Sequence, residues 1–314
     1  MRDTAIAIIK EVKKAVIGKD DVITNAFMAM LSRGHILLED IPGVGKTTLA
    51  IAFSKATQLS WKRTQFTPDT LPSDITGFSM YNRDTGVSEY MPGAAFCNLY
   101  LADEINRTSS KTQSALLEVM EEGRITVDGV TRDVPKPYTV IATQNPIGSA
   151  GTQLLPESQL DRFLIRLSMG YPSPEHEIEI MRRREQGNPL ESIRPVADAK
   201  ELLAMQELVE HTYICDEIYQ YILSLSLATR NNEMIRLGLS PRGSLALCRM
   251  SRAAAWLQGR DYVVPEDVSF VFHDVAIHRI VLSSKARLGG LQASDILNGI
   301  LGQVPAPVPR KRGV

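Results

Sequence analysis

The sequence lacks long apolar runs, paired cysteines and an excess of positive charge. No stretch approaches the roughly 18 apolar residues that span a membrane, and charges within residues 1–16 interrupt any signal-peptide core. The three cysteines, Cys97, Cys215 and Cys248, are widely separated and have no CxxC spacing, which argues against a disulfide framework or a zinc site. We therefore expect a chain without a membrane span in a reducing cytoplasm.

Basic and acidic residues are almost equal in number. The 314 residues include 35 Lys and Arg and 36 Asp and Glu, a formal net charge of −1. Nucleic-acid-binding domains are usually strongly basic, so this balance disfavours nucleic acid as the main partner. The five histidines show no metal-ligand spacing, and we interpret them as surface or satisfied core groups.

Strand and helix patterns alternate through the first half of the chain. Apolar runs at 35–38, 98–102 and 138–143 predict buried strands, and Ser110 with Gln113 suggests the capping box of a helix that continues to about residue 122. Strands separated by helices predict a mostly parallel sheet covered on both faces, with ligands at the carboxyl ends of the strands. The predicted fold class is therefore α/β.

Other segments predict hairpins and a second, helical domain. The Asp128-Gly129 turn lies between two β-rich pieces, which is a strong hairpin signal, and a second hairpin is predicted within 78–91. Beyond residue 172 the patterns are long and helical. We expect an α/β nucleotide-binding domain at 1–172, a helical lid domain at 173–303 and a flexible Pro-rich and basic tail at 304–314.

A glycine-rich turn between an apolar strand and a helix predicts a phosphate-binding loop (P-loop). In such loops, backbone N–H groups cradle phosphate oxygens at a helix N-terminus, the lysine reaches the β and γ phosphates, and the following hydroxyl can bind Mg²⁺. The strict pattern begins with glycine, whereas this chain has Asp40. The predicted ATP-binding residues are Asp40, Ile41, Pro42, Gly43, Val44, Gly45, Lys46, Thr47 and Thr48.

Two adjacent carboxylates, Asp103 and Glu104, follow the next predicted strand. Together with Thr47, Asp103 is predicted to hold Mg²⁺. Glu104 is predicted to orient the water that attacks the γ-phosphate. Joined to Lys46 and the P-loop, this pair predicts ATP hydrolysis.

The wording of these motifs resembles the AAA+ superfamily and, within it, the MoxR family. The resemblance covers residues 5–303 and rests on LLEDIPGVGKTTLA, LYLADEINRTSSKTQSALLEVMEEG, VIATQNP and LPESQLDRFLIRL. It implies an ATPase that assembles into a homo-oligomeric ring, which we expect to be a hexamer. It also implies that segment 66–93 and the Asp128-Gly129 hairpin are inserts that line the pore of the ring.

The resemblance assigns further residues to the nucleotide. Ile17 and Gly18 would line the adenine pocket. Asn145 would be the sensor-1 residue, which hydrogen-bonds the attacking water or the γ-phosphate. Both assignments depend on the family pattern and not on spacing alone.

Three arginines are singled out in the same way. Arg162 would be the arginine finger that enters the ATP site of the neighbouring subunit, with Arg166 as the alternative. Arg242 would be the sensor-2 residue, which contacts the γ-phosphate from the helical lid. Both roles stabilise negative charge on the transferring phosphoryl group.

The resemblance implies a chaperone-like role in assembling or activating a partner complex, with partners that can contain a von Willebrand factor A domain. Three alternatives stay open: a nucleic-acid motor, a metal-insertion motor like the magnesium-chelatase subunit, and a nucleotide-gated module that does not hydrolyse ATP. The last is hard to reconcile with intact Lys46, Asp103, Glu104 and Asn145.

Overall fold

The first half of the chain alternates helices and strands. The structure is a computed structural model that describes residues 1–41, 43–145 and 155–307. In chain order the first elements are α1 (Arg2–Ala15), α2 (Asp20–Leu31), β1 (Ile36–Glu39), α3 (Lys46–Thr57), β2 (Trp61–Gln65), α4 (Pro72–Thr76), β3 (Gly77–Asn82), β4 (Val87–Pro92), β5 (Leu99–Asp103), α5 (Ser110–Glu122), β6 (Arg124–Val127), β7 (Val130–Asp133), β8 (Thr139–Gln144), α6 (Glu157–Leu160) and β9 (Ile165–Leu167).

The second half is mainly helical. It contains α7 (Pro174–Glu185), α8 (Ala199–Glu210), α9 (Asp216–Arg230), β10 (Ile235–Leu237), α10 (Pro241–Leu257), α11 (Pro265–Ala276), β11 (Val281–Leu282), α12 (Ser284–Leu288) and α13 (Ala293–Gln303). Among the residues described, no helix is both long enough and apolar enough to cross a bilayer. All three cysteines are free thiols.

Five parallel strands form the central sheet in the order β2-β5-β8-β1-β9. This arrangement confirms the predicted α/β class with a parallel sheet. Strand β2 is not predicted from its sequence, because an edge strand whose side chains are mostly exposed lacks a clear apolar pattern. Two antiparallel hairpins, β3–β4 and β6–β7, confirm the two predicted turns.

Alternate residues of the strands feed two cores on opposite faces of the sheet, as the period of two in a β-strand requires. On one face, residues such as Ile36, Leu38 and Ile141 pack with α1, α2, α3 and the helices of the second half. On the other face, Leu37 and Tyr100 pack with α5 and the hairpin β6–β7. The first of these cores contains residues from both sides of position 172. The domain boundary between residues 172 and 173 therefore stays a prediction.

Helix α5 ends at the predicted residue but begins with a different cap. Ser109, and not Ser110, is the N-cap residue, and its hydroxyl accepts a hydrogen bond from the Thr112 amide at 3.3 Å. The capping box expected for Ser110 and Gln113 is therefore wrong. Gln113 instead donates to the Ile105 carbonyl at 3.0 Å, which fixes the turn that leads into the helix.

His35 joins three elements inside the protein. Its Nδ1 accepts a hydrogen bond from the Val140 amide at 3.0 Å, so the ring proton is on Nε2, which lies 2.8 Å from the Met120 carbonyl. Burial lowers the pKa of His35 to about 4. The ring therefore stays neutral in the folded protein and ties the start of β1 to β8 and to the end of α5.

We predict that His35 makes the protein less stable in mild acid. Between about pH 6.5 and pH 4 the unfolded chain binds a proton at His35 that the folded chain does not. The free energy of unfolding should therefore fall by about 1.4 kcal/mol per pH unit from this group as the pH falls through that window. In His35→Asn, urea unfolding at pH 7.0 and pH 5.5 should show a smaller difference than in wild type.

His211→Asn is the matched control, because His211 is exposed and the substitution should leave the difference unchanged. His278, whose pKa burial also lowers, contributes equally to wild type and to both variants and cancels in the comparison. An equal pH dependence in His35→Asn and wild type would contradict the neutral, buried role of His35.

Candidate functional site

The P-loop connects β1 to α3 at the carboxyl edge of the sheet. Gly43 and Gly45 have φ values of 86° and 97°, a backbone conformation that residues with a Cβ rarely adopt. Gly45 is the N-cap of α3, so the first amides of this helix face the loop without partners inside the helix. Pro42, which is predicted to bind ATP, lies outside the described residues.

Asp40 anchors the loop from within. Its Oδ2 accepts hydrogen bonds from the Gly170 amide at 2.6 Å and the Ser168 hydroxyl at 3.1 Å, and its Oδ1 accepts one from the Ile41 amide at 2.9 Å. The residue in place of the usual glycine therefore ties the P-loop to the segment after β9. A buried carboxylate is stable here because it accepts three hydrogen bonds.

Lys46 is buried at the start of α3, and its ammonium donates to the Asp40 carbonyl at 2.9 Å. Burial lowers the pKa of Lys46, and the carboxylates of Asp103, Asp40 and Glu104 oppose that shift. The positive charge is thus held inside the loop at a point where several negative charges already surround it.

Thr143, at the end of β8, joins the two adjacent carboxylates. Its hydroxyl donates to Asp103 Oδ1 at 2.6 Å and accepts from the Glu104 amide at 2.9 Å. The other carboxylate oxygen of Asp103, Oδ2, accepts from Arg63 at 2.7 Å. Since β8 lies between β5 and β1, the acidic pair and the P-loop are held at the same edge of the sheet.

Glu104 has a left-handed backbone conformation, with φ at 58°. Its Oε2 accepts hydrogen bonds from Gln65 at 2.9 Å and from Arg107 at 2.7 Å. A non-glycine residue at positive φ is uncommon and costs free energy unless its surroundings fix it. Here the Thr143 hydroxyl and the two side-chain donors fix both the backbone and the carboxylate of Glu104.

Lys46, Thr47 and the two adjacent carboxylates all line one cavity of about 370 Å³. It brings the P-loop glycines next to the acidic pair and to two residues of β2. The lining residues are Gly43, Gly45, Lys46, Thr47, Arg63, Gln65, Asp103 and Glu104. The Thr47 hydroxyl and the Asp103 carboxylate are hard oxygen donors, which fits Mg²⁺ that keeps water and phosphate as its other ligands.

A second cavity of about 600 Å³ shares Gly43 and Gly45 with the first. Ile17, Val44 and Thr48 also line it, so the predicted adenine-binding residue and the P-loop face one space. Gly18, next to Ile17, has φ at 69°, and a Cβ there would lie 2.3 Å from the His176 ring. Any other residue in this turn between α1 and α2 would have a strained backbone and would displace the His176 ring.

Asn145 follows β8 directly, at the same sheet edge as Asp103. Its carbonyl accepts a hydrogen bond from Asn106 at 3.4 Å. The strand order places it between the acidic pair and the P-loop strand. This position is compatible with the predicted contact to water or phosphate, which stays a prediction.

Arg162 and Arg242 lie at the opposite, amino edge of the sheet. Both bind Glu121 near the end of α5, Arg162 at 3.2 Å and Arg242 at 3.1 Å. The carbonyl of the preceding Met120 binds His35 just before β1, and His35 lies roughly 16 Å from the start of the P-loop at about 3.3 Å per residue. Neither arginine lines the cavity of about 370 Å³ that contains Lys46 and the acidic pair, which we call the phosphate cavity.

The two arginines face a cavity of about 480 Å³ in which cations predominate. Its charged lining comprises six guanidinium groups against two carboxylates. The charged residues are Arg33, Arg162, Arg242, Arg249, Arg252, Arg279, Glu121 and Asp161. Such a surface favours an anion.

Arg166, the alternative finger, lies elsewhere, on β9. It forms an ion pair with Glu39 at 2.6 Å, at the end of β1. It therefore neutralises a carboxylate within its own sheet, and it is not among the residues that line the arginine-rich cavity.

Sequence patterns do not reveal four residues of the site: Arg63, Gln65, Arg107 and Thr143. Arg63 and Gln65 lie on β2, which the apolar pattern does not reveal. The pattern that indicates them is a pair of polar residues, two positions apart, on one face of a strand. That strand pairs with the strand that ends in Asp103. Thr143 ends a predicted strand, where a hydroxyl resembles ordinary strand composition.

Comparisons with known proteins agree with this geometry. The family described as the ATPase family associated with various cellular activities (AAA) matches residues 35–165, and the AAA lid domain matches residues 227–300. YeaC of Bacillus subtilis (strain 168), a protein of uncharacterised function, is 45% identical over 302 residues, which are 96% of this chain and 94% of YeaC.

Two further relatives cover nearly the whole chain. Chaperone MoxR1 of Mycobacterium tuberculosis is 38% identical over 306 residues, 95% of this chain and 81% of MoxR1. A crystal structure of a protein from Cytophaga hutchinsonii, assigned as an ATPase, superimposes with a TM-score of 0.91 at 36% identity and covers 98% of this chain and 96% of that one.

We predict that Asp40→Gly weakens the P-loop although it restores the usual pattern. The variant loses three hydrogen bonds to one carboxylate, each worth on the order of 1–3 kcal/mol. A lower melting temperature and weaker binding of a non-hydrolysable ATP analogue, measured by calorimetry, are expected. Asp84→Gly, in the exposed β3–β4 turn, is the control. Wild-type affinity and stability in Asp40→Gly would show that the carboxylate has no anchoring role.

Proposed function

Since the chain belongs to the MoxR family of AAA ATPases, we propose that it hydrolyses ATP between the subunits of a ring. We expect the ring to be a hexamer and its ATP cycle to remodel or activate a partner protein in the cytoplasm. The observation that carries the proposal is the separation of the phosphate cavity from Arg162 and Arg242 on opposite edges of the sheet.

The P-loop binds the phosphates of ATP in this proposal. The unpaired amides at the start of α3 and the Lys46 ammonium supply positive charge where the β and γ phosphates lie. The cavity that contains Ile17, Val44 and Thr48 takes the adenine. Thr47 and Asp103 would hold Mg²⁺, which neutralises charge on the phosphates when bound.

Glu104 orients the attacking water. Gln65 and Arg107 bind its Oε2, so Oε1 is the oxygen available to orient that water. The Thr143 hydroxyl keeps the Glu104 backbone beside Asp103. Asn145, at the end of the neighbouring strand, supplies the second polar contact to the water or the γ-phosphate.

Arg162 and Arg242 serve the site of the neighbouring subunit. Glu121 binds both at once, which supports a geometry in which both guanidinium groups reach one anionic group. The γ-phosphoryl group of an adjacent subunit fits that geometry, because negative charge spreads over its oxygens during transfer. We therefore favour Arg162 over Arg166 as the finger and assign Arg242 to the neighbour's site and not to its own.

The hairpin β3–β4 is the proposed contact with the client protein. Phe78, Met80, Val87 and Met91 are between 41% and 58% exposed, and the strand register places them on one face. Arg132 of β7 lies 4.0 Å above the ring of Tyr90 on β4, which joins the two hairpins. An apolar exposed face favours a protein client, such as one with a von Willebrand factor A domain, over nucleic acid.

We predict that Arg162→Ala and Glu104→Gln each abolish ATP turnover but complement one another. Glu104→Gln should bind ATP without hydrolysing it, and Arg162→Ala should assemble yet lose at least about 100-fold in kcat. In mixed rings, an Arg162→Ala subunit receives an intact arginine from a Glu104→Gln neighbour, so activity should rise above that of either variant. Lys285→Ala, which removes an exposed ion pair, is the control.

The same experiment distinguishes the ring from a simpler ATPase. Wild-type activity per subunit should increase with protein concentration in parallel with the mass measured by light scattering. Activity that is independent of concentration and of Arg162 would contradict the ring mechanism.

We predict that the double substitution Phe78→Ser and Met80→Ser abolishes binding of an unfolded polypeptide without changing basal ATPase activity. The probe is a reduced, carboxymethylated protein, which exposes apolar segments, and fluorescence anisotropy measures its binding in the presence of a non-hydrolysable ATP analogue. Phe270→Ser removes an equally exposed aromatic ring from α11 and is the control. Stimulation of the ATPase by DNA, with no polypeptide binding, would instead support the nucleic-acid alternative.

A further inference from the structure

Arg279 connects the helical half of the chain to the segment that contains Arg162. It lies between α11 and β11, and its side chain is only 2% exposed. The guanidinium group donates to the carboxylate of Asp161 at 2.8 Å, to the carbonyl of Leu164 at 3.0 Å and to the carbonyl of Phe163. One buried cation thus binds the residues on both sides of Arg162.

Asp161 connects the same segment to the helix that contains Arg242. Its Oδ1 binds Arg279, and its Oδ2 accepts from the Ser240 hydroxyl at 2.8 Å. Ser240 is the N-cap of α10, and Arg242 is in the first turn of that helix. Asp161 therefore links two parts of the structure. One carboxylate oxygen binds Arg279, which holds the segment that contains Arg162, and the other binds the cap of the helix that contains Arg242.

The first turn of α10 also packs closely against Arg279. A Cβ at Gly243 would lie 3.1 Å from the Cδ of Arg279 and 2.4 Å from the Cδ2 of Leu239. The first turn of α10 can therefore approach Arg279 this closely because residue 243 has no side chain. His278 adds a second hydrogen bond to the Phe163 carbonyl at 3.0 Å.

An ion pair with one buried partner, such as Arg279 with Asp161, is costly to form because the buried charge loses its hydration. Its acceptors surround Arg162, and its carboxylate holds the cap of the helix that presents Arg242. Both arginines remain partly exposed, at 32% and 44% of their side chains, while Arg279 is buried and the Asp161 side chain is 23% exposed. The Arg162 and Arg242 side chains are therefore accessible to a ligand, while hydrogen bonds and packing fix the segments that carry them.

We propose that Asp161 and Arg279 are positioning residues that set the spacing of Arg162 and Arg242, so that both reach one phosphoryl group of the neighbouring subunit. The proposal rests on the trans-acting role given to the two arginines above. In this proposal Asp161 and Arg279 do not bind the phosphoryl group themselves. They act through the two guanidinium groups, and a displacement of about 1 Å is enough to reduce the rate by up to about 100-fold.

The test is Asp161→Asn, which keeps the shape of the side chain but replaces one acceptor oxygen with a donor that faces Arg279 or Ser240. Affinity for an ATP analogue and ring mass should equal those of wild type, because the phosphate cavity is at the other edge of the sheet. The kcat of the pure variant should fall about 10- to 100-fold with little change in KM.

Mixing separates positioning from a general loss of fold. In rings of Asp161→Asn with Glu104→Gln subunits, the Asp161→Asn sites receive intact arginines, so activity should exceed that of either parent. No increase on mixing would overturn the proposal if Arg162→Ala still complements Glu104→Gln, because the defect would then lie in the variant's own site. Failure of both mixtures would instead refute the trans-acting mechanism itself.

Two more variants keep the test decisive if Asp161→Asn folds poorly. Arg279→Lys keeps the charge but has no planar fork to bind Asp161, Phe163 and Leu164 together, and it should show the same loss that mixing restores. Arg236→Ala removes an exposed ion pair with Glu157 between the same two parts of the chain and should turn over like wild type. An Arg279→Lys ring with wild-type kcat would overturn the proposal.

Discussion

Parallel pairing of β8 with both β1 and β5 fixes the distance between the P-loop and the two adjacent carboxylates. The Thr143 hydroxyl at the end of β8 binds Asp103 and the Glu104 backbone, while β1 on the other side leads into Asp40 and Lys46. The carboxyl ends of parallel strands meet at one edge. The Lys46 cation and the two carboxylates for which we propose metal binding and water orientation therefore converge although they are far apart in the chain.

The same strand direction places the two arginines at the edge of the sheet opposite the cavity that contains Lys46 and the acidic pair. Helix α5 returns from the carboxyl edge to the amino edge, and Glu121 at its end binds Arg162 and Arg242 there. A hydrolytic site of this type gains most of its rate from charge stabilisation at the γ-phosphoryl group. If Arg162 and Arg242 supply that charge, an isolated subunit lacks it at its own site, which is a physical reason for the proposed assembly.

Hydrogen-bonded carboxylates organise both edges of the sheet. Asp40 accepts three hydrogen bonds and ties the P-loop to the segment after β9, and Asp161 links the two arginine-bearing segments. Each replaces water with donors from several elements, and this satisfies the charge while fixing the geometry. The order of the site thus depends on residues that do not react themselves.

Local patterns in the sequence are enough to predict the parallel α/β class, the P-loop with Lys46, the acidic pair and the end of α5, because glycine turns, apolar strands and helix spacing act over a few residues. The edge strand β2, with Arg63 and Gln65, has no such signal, since its side chains are exposed and polar. Two further features arise only in the tertiary structure: Asp40 anchors the P-loop to the segment after β9, and Arg162 and Arg242 share Glu121. They depend on contacts between residues up to 130 positions apart, which no local pattern encodes.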